Sequence, residues 1–237
     1  MGKCLFLRKG EIHTSPITFD PEFANNTWDQ VIEACQKNRV PDSWEVGDQK
    51  AMIIGDTEYM IDIIGKYHDI YSDGSGVAPL TFQLHDLYPT TYIKNSNRSY
   101  AGWDNSDIRK ILSYSIFNLL PDAVQIGIKK VEKPTTTNYG DNSLTVTTDA
   151  LFLLSAGEVF GSECIPIVNA IDGVQYEYYL NSNNRKKTIN NSLQNMEWWT
   201  RTPSQYRKGM SCVVNTECVI VSFYVNYYSY ISFAFCF

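Results

Sequence analysis

The sequence predicts an α+β domain in which helices and strands are segregated along the chain rather than alternating. Three observations carry this. Two stretches with helical spacing and helix-start chemistry, Thr27 to Lys37 and Ser106 to Ile116, stand far apart. Short apolar runs bounded by turn residues, of the kind that pair as strands, lie between them and dominate the C-terminal end. No repeat divides the 237 residues, and a hydrophobic content of 43% suffices for a core. The expected organisation is an N-terminal strand or arm over residues 1–20 and one domain over 21–237, with two main helices and mixed or antiparallel sheets.

Taken in order, LFLRKGEIHTSPITF reads as a short apolar strand running into polar sequence, either an edge strand or an arm for a neighbouring subunit. From Thr27 the spacing turns helical. Trp28, Val31, Ile32 and Cys35 share a face, and Thr27 with Gln30 has the pattern of a capping box. After Pro41, KAMIIGDTEYMIDIIG reads as a hairpin turning at Gly55 and Asp56. A turn-rich loop follows. The second helix starts at Ser106, carries Asp107 in its first turn and an apolar face of Ile108, Ile111, Leu112 and Ile116, and stops before Pro121.

IGIKKVEKPTTT reads as a strand and LTVTTDALFLLS as two short strands or a bent one, while Ser155 and Glu158 form another capping-box pattern. Residues 161–195 are irregular and Asn-rich, the kind of long loop that tends to carry function, and the chain turns strand-like again at Trp198.

The C-terminal end is unusual. After Glu217 there is no charge, Gly or Pro, and eight of the last nineteen residues are aromatic. Chain ends are usually polar and fray. A terminus on Phe235 and Phe237 is therefore expected to be a strand locked inside the fold. If the run from Val219 to Ser232 were one strand, Phe223, Val225, Tyr227, Ser229 and Ile231 would share one face and Tyr224, Asn226, Tyr228 and Tyr230 the other. Complete burial would leave four tyrosine hydroxyls and Asn226 needing internal partners. Rigid aromatics mixed with small polar groups suit a binding surface better.

Residues that could carry catalysis do not assemble into a site. His68-Asp69 and His85-Asp86 are loop pairs whose spacing specifies nothing, with His13 the third histidine. DIYSDGSG fails as a calcium loop, because Tyr71 and Leu80 fall on ligand positions. Its GSG lacks the following GK[ST], and Ser155 sits in SAGE rather than GxSxG. Trp198 and Trp199 point to opposite faces of a strand, so at least one is core, and Arg201 is read as holding a buried carboxylate or carbonyls. Cys4, Cys35, Cys164, Cys212, Cys218 and Cys236 are scattered without metal spacing and read as free thiols. No enzyme activity, cofactor or metal is expected.

The net charge of −6 and pI near 5.1 argue against nucleic acid or an anionic membrane as partner. Arg185, Lys186 and Lys187 read as a solvated loop. The N-terminus lacks signal-peptide features and no run is long enough to span a membrane, so the expectation is synthesis in a bacterial cytoplasm as a soluble protein.

The segments CLFLRKGEIHT, IIGKYHDIYSDGSG with PLTFQLHD, DALFLLSAGEVFG, and WWTRTP with CVVN and FAFCF resemble, in this order, a family of uncharacterised proteins encoded by phages and prophages of gut bacteria. In that family the segment before the last strand often resembles the variable region of diversity-generating retroelements, whose variable proteins use a C-type lectin fold. The resemblance implies that fold here, with a variable region at about 204–230 on a fixed frame. Mutagenesis of Asn codons at adenines cannot yield Met, Lys, Gln, Glu or Trp, and none of these occurs from Val219 to Ser232, whereas Gln205, Lys208 and Met210 lie outside the reachable set. Where relatives commonly carry Gly, this chain has Cys218 and Tyr230.

The implied function is a phage receptor-binding protein, located in the virion tail. Its target is a host-surface protein or glycan, its neighbours are other tail proteins, and a homo-oligomer is compatible with this. The ligand-binding residues are expected to be Tyr206, Val221, Ser222, Phe223, Tyr224, Asn226, Tyr227, Tyr228, Ser229 and Tyr230. The alternatives are a calcium-dependent lectin using carboxylates such as Asp69, Asp73 and Asp172, and a structural tail protein whose aromatic run is a subunit interface.

Overall fold

Thr27 caps the first helix as its sequence requires: its side chain accepts from Gln30 N–H, and the Gln30 side chain accepts from Thr27 N–H. Helix α1, Trp28–Gln36, buries Val31, Ile32 and Cys35 and packs half-buried Trp28 against the rings of Phe82 and Phe237, at 5.9 and 6.0 Å. These coordinates are a computed structural model describing residues 18–237 apart from 139–140, 166, 169–170 and 190–191, so the predicted arm lies almost wholly outside the described residues.

The fold is α+β, with few and short helices and three sheets among the described residues. The hairpin of β1 (Gln49–Ile54) and β2 (Thr57–Lys66) turns at Gly55 and Asp56 as the sequence predicts. It opens the first sheet, which continues through β3 (Leu80–Leu84), β12 (Phe233–Cys236) and β7 (Phe152–Leu153). The terminal strand is thus central. Phe235 stands opposite Phe82, Phe233 opposite Leu153, and the Tyr71 hydroxyl donates to the carbonyl of Phe237 at 2.5 Å. The apolar terminus exists because it is interior sheet.

The second sheet has the order β10 (Ile220–Tyr224), β9 (Met210–Val214), β8 (Trp198–Pro203), β11 (Tyr228–Ile231) and β4 (Tyr88–Ile93). The third is the hairpin of β5 (Val131–Asn138) and β6 (Asp141–Asp149). One apolar core joins the two larger sheets.

The second predicted helix is α-helical only as α2, Asp107–Ile111. Ser106 caps it, and the apolar face is kept, but the winding widens to a π-turn over Leu112–Ile116 and tightens to a 3-10 turn before Pro121. A further helix not anticipated from sequence, α3 (Asp122–Gly127), packs its glycine on Ile32. Helix α4 (Ala156–Phe160) carries the Ser155–Glu158 capping box. Residues 161–195 hold only 3-10 turns among those described.

Arg185 and Lys187 are not solvated. Arg185 grips Glu163 with both terminal nitrogens, at 2.8 and 3.0 Å, and lies over the Phe160 ring. Lys187 is buried and donates to the carbonyls of Leu84 and His85. Their partners are distant in sequence, so the local run RKK gives no sign of them.

Candidate functional site

Beneath the C-terminal surface lies a fixed frame. Trp198 and Trp199 are both buried, their indole N–H groups donating to the carbonyls of Arg185 and Tyr92. Arg201, wholly buried on β8, binds Glu158 of α4 with two nitrogens, at 2.5 and 2.9 Å, and also donates to Thr135 and to the carbonyls of Leu153, Pro134 and Asp172. Burial alone would raise the Glu158 pKa, but Arg201 and Lys133 outweigh it and hold the carboxyl at about 2. Lys133 spends its ammonium on Asp69, Glu158 and the Tyr176 hydroxyl.

This network forms the floor of a cleft of about 450 Å³, with His68 stacked on Tyr176 at its side. The three ammonium hydrogens of Lys133 are thus matched by three acceptors. The chemistry of the cluster is that of a structural pin. The carboxylates named for calcium do not converge: Asp69 faces Lys133, Asp73 faces Lys129, and Asp172 accepts from Thr202. Nor does His85 pair with Asp86; it meets Asp62 at 2.9 Å, and Asp86 accepts from Thr188.

Lys94, also buried, follows β4 and donates to the carbonyl of Arg201 and to Ser211 of β9. Burial pushes its ammonium down to about 7. The lysine ties the loop after β4 to the middle of the second sheet.

The predicted surface residues sit on top of this frame, but not as one strand. The chain breaks at Val225, which is buried. Its N–H donates to the carbonyl of Gly209 at 2.9 Å, and its own carbonyl accepts from Asn95 at 3.0 Å. Strand alternation therefore restarts at Tyr228, and the single-strand face assignment is corrected. Ser229 is buried and donates to the carbonyl of Glu197, so its hydroxyl is frame rather than surface. Tyr230 is half-buried at the irregularity where β11 shifts register against β4.

The remaining residues fall into two groups. Tyr206, Val221, Ser222 and Tyr224 line a groove of about 700 Å³ together with Ile167, Arg207, Met210 and Ile220. Phe223, Asn226, Tyr227 and Tyr228 belong to the end of β10, the turn and the start of β11, where Phe223 bridges buried Trp199 (6.4 Å between rings) and exposed Tyr227 (6.1 Å). Tyr206, Tyr224, Tyr227 and Tyr228 are 60%, 39%, 58% and 68% exposed, and their hydroxyls hydrogen-bond to no described residue. A depression of about 720 Å³ elsewhere is lined by Asn38, Tyr67, Tyr71 and Lys129, but those groups are already engaged with each other, with Asp73 or with Phe237.

Gly209 fixes the groove's end. It has φ +75, and a Cβ there would stand 1.9 Å from the carbonyl oxygen of Arg98. Sequence reasoning missed Ile167, which reaches the groove from the irregular loop, and gave no role to Arg207, Met210 or Ile220 within the C-terminal segment.

Residues 81–237, well over half of the chain, match a family described as a domain of unknown function, DUF6273. The chain belongs to the DUF6273 family. No curated protein and no solved structure matches it. The DUF6273 region begins within β3 and contains the exposed surface and all of the frame but Asp69, while β1 and β2 extend its first sheet by pairing onto β3. No helix among the described residues is long and apolar enough to cross a membrane.

Proposed function

We propose that this chain is a phage-encoded ligand-binding protein, a receptor-binding component of a tail with a C-type lectin-like fold, whose exchangeable C-terminal surface grips a protein or glycan on the host cell. The observation that carries the reading is the contrast within 40 residues. Trp198 to Pro203 and Phe233 to Phe237 are buried, whereas Tyr206, Tyr224, Tyr227 and Tyr228 stand exposed, their hydroxyls bonded to no described residue. Tyrosine supplies contact area at low entropic cost, and a rigid support beneath lets side chains change without loss of fold. The buried network below uses up its own polar groups, which favours binding over catalysis.

The test is a titration of labelled protein onto cells of the bacterium that carries the gene. Tyr227→Ala with Tyr228→Ala should abolish binding and leave the melting temperature nearly unchanged. Unaltered binding would refute the reading. The diversification part is tested in the DNA: a near-copy of the 3′ end differing only at adenines, beside a reverse transcriptase gene, is expected downstream. A second reading, a subunit interface, is favoured by the uncharged edge strand β10; light scattering of the whole chain separates the two, since an interface requires a stable oligomer.

A further inference from the structure

The outer edge of β10, which no described strand covers, supports an inference that rests on the binding role proposed above and concerns how the partner is held. In antiparallel pairing a strand turns alternate residues toward one neighbour for hydrogen bonding. Asn215 N–H donates to the carbonyl of Val219 and Val225 N–H to that of Gly209, with Val221 opposite Val213 and Phe223 opposite Ser211. Residues 219, 221, 223 and 225 thus spend their backbone groups on β9. Ile220 and Ser222 turn theirs the other way, where no strand among the described residues pairs with β10.

The groove follows that edge. Side chains of Ile220, Ser222 and Tyr224 project from one face and that of Val221 from the other, yet all four residues line it. Native edges are usually guarded by Lys, Pro or a bulge. β10 reads Ile-Val-Ser-Phe-Tyr and pairs with β9 over its whole length without a register shift. Among the described residues nothing guards this edge.

Charge supplies the second observation. The close approach of Gly209 to Arg98 brings exposed Arg98, Arg207 and Lys208 to the Tyr224 end of the strand. None of the three is in an ion pair among the described residues, while Asp107, which accepts from Ser96 in the same loop as Arg98, is already paired with Lys110. On a chain of net charge −6 this is a local reversal of sign.

We infer that the partner is a protein presenting an extended segment that adds to β10 as a further strand, with an acidic side chain seated beside Arg98, Arg207 and Lys208. Main-chain hydrogen bonds to Ile220 and Ser222 hold such a segment whatever side chains the strand carries. That mode suits a surface whose side chains are exchanged, because attachment survives while the groove changes its selectivity. An anionic glycan would use the same cations but leave the two edge amides free.

The test uses two capped ten-residue peptides of alternating Val and Thr, one with two glutamates at the N-terminal end and one at the C-terminal end, their lysine counterparts, and sialyllactose. Titration is combined with amide exchange of the full chain. A glutamate peptide should bind, slow exchange at Ile220 and Ser222, and bind about tenfold more weakly to Ser222→Pro, which lacks the outward N–H, and to Arg207→Glu with Lys208→Glu. If Ser222→Pro does not fold, the charge-reversal variant and the exchange data decide. No binding by either glutamate peptide, binding without protection of the edge amides, or binding of sialyllactose alone would overturn the inference. Host-cell binding that needs Tyr227 and Tyr228 but ignores Ser222→Pro would sink strand addition and leave the binding function standing.

Discussion

Arg201 and Glu158 form a two-pronged ion pair, both side chains buried, joining the second sheet to helix α4. Removing one partner leaves the other charge buried and unpaired. Arg201→Met should therefore destabilise the fold by about 3–5 kcal/mol, read from urea denaturation. Arg201→Met with Glu158→Gln should cost less than the sum of the single changes, because the pair acts as a unit.

Gly209 is the second point of rigidity. Gly209→Ala places a methyl group into the carbonyl of Arg98 at a φ that side chains avoid, and should destabilise by at least about 2 kcal/mol. The same change should weaken target binding by displacing Tyr206 and Arg207, and a melting curve beside a binding titration checks both effects.

Cys218 adopts φ +64 in the turn before β10. Left-handed backbone is strained for any residue with a Cβ, so Cys218→Gly should stabilise by about 1 kcal/mol. Denaturant midpoints of the two proteins measure this directly.

Lys94 gives the stability a pH dependence of defined sign. The folded state holds its proton only below about 7, whereas an unfolded chain keeps a lysine proton to roughly pH 10.4. Between those values the unfolded state binds more protons, so stability rises with pH. From pH 7 to 9 the melting temperature should gain more in the wild type than in Lys94→Met, with the difference worth up to roughly 2 kcal/mol.

Local signals were legible where a few neighbouring residues decide the outcome. The capping boxes at Thr27 and Ser155, the turn at Gly55 and Asp56, and the buried terminus at Phe235 all follow from side chains close in sequence. Arg201 is also readable as the holder of a buried carboxylate or of carbonyls, and it binds both, Glu158 and the carbonyls of Leu153, Pro134 and Asp172. The two positions flagged for lacking glycine turned out to be a left-handed turn at Cys218 and a strand irregularity at Tyr230.

What escaped depends on contacts across the chain. Val225 breaks the aromatic run only because Gly209 and Asn95 hold its backbone from 16 and 130 residues away in structure-determined positions that no local pattern encodes.

 Burial of Ser229 follows from that break. Arg185 and Lys187 were misplaced for the same reason, and Ile167 reaches the groove from a loop whose sequence shows no periodicity.

The proposed function requires exchangeable side chains on a fixed frame, and a codon-randomised library tests this requirement most directly. Positions 206, 222, 224, 226, 227 and 228 are randomised together, and the fraction of variants resisting proteolysis is compared with that of a library randomised at Trp198, Trp199, Arg201, Ser229, Phe233 and Phe235. Most of the first library should stay folded and nearly all of the second should be degraded. Equal loss of both would show that the tyrosines are structural and would contradict the account.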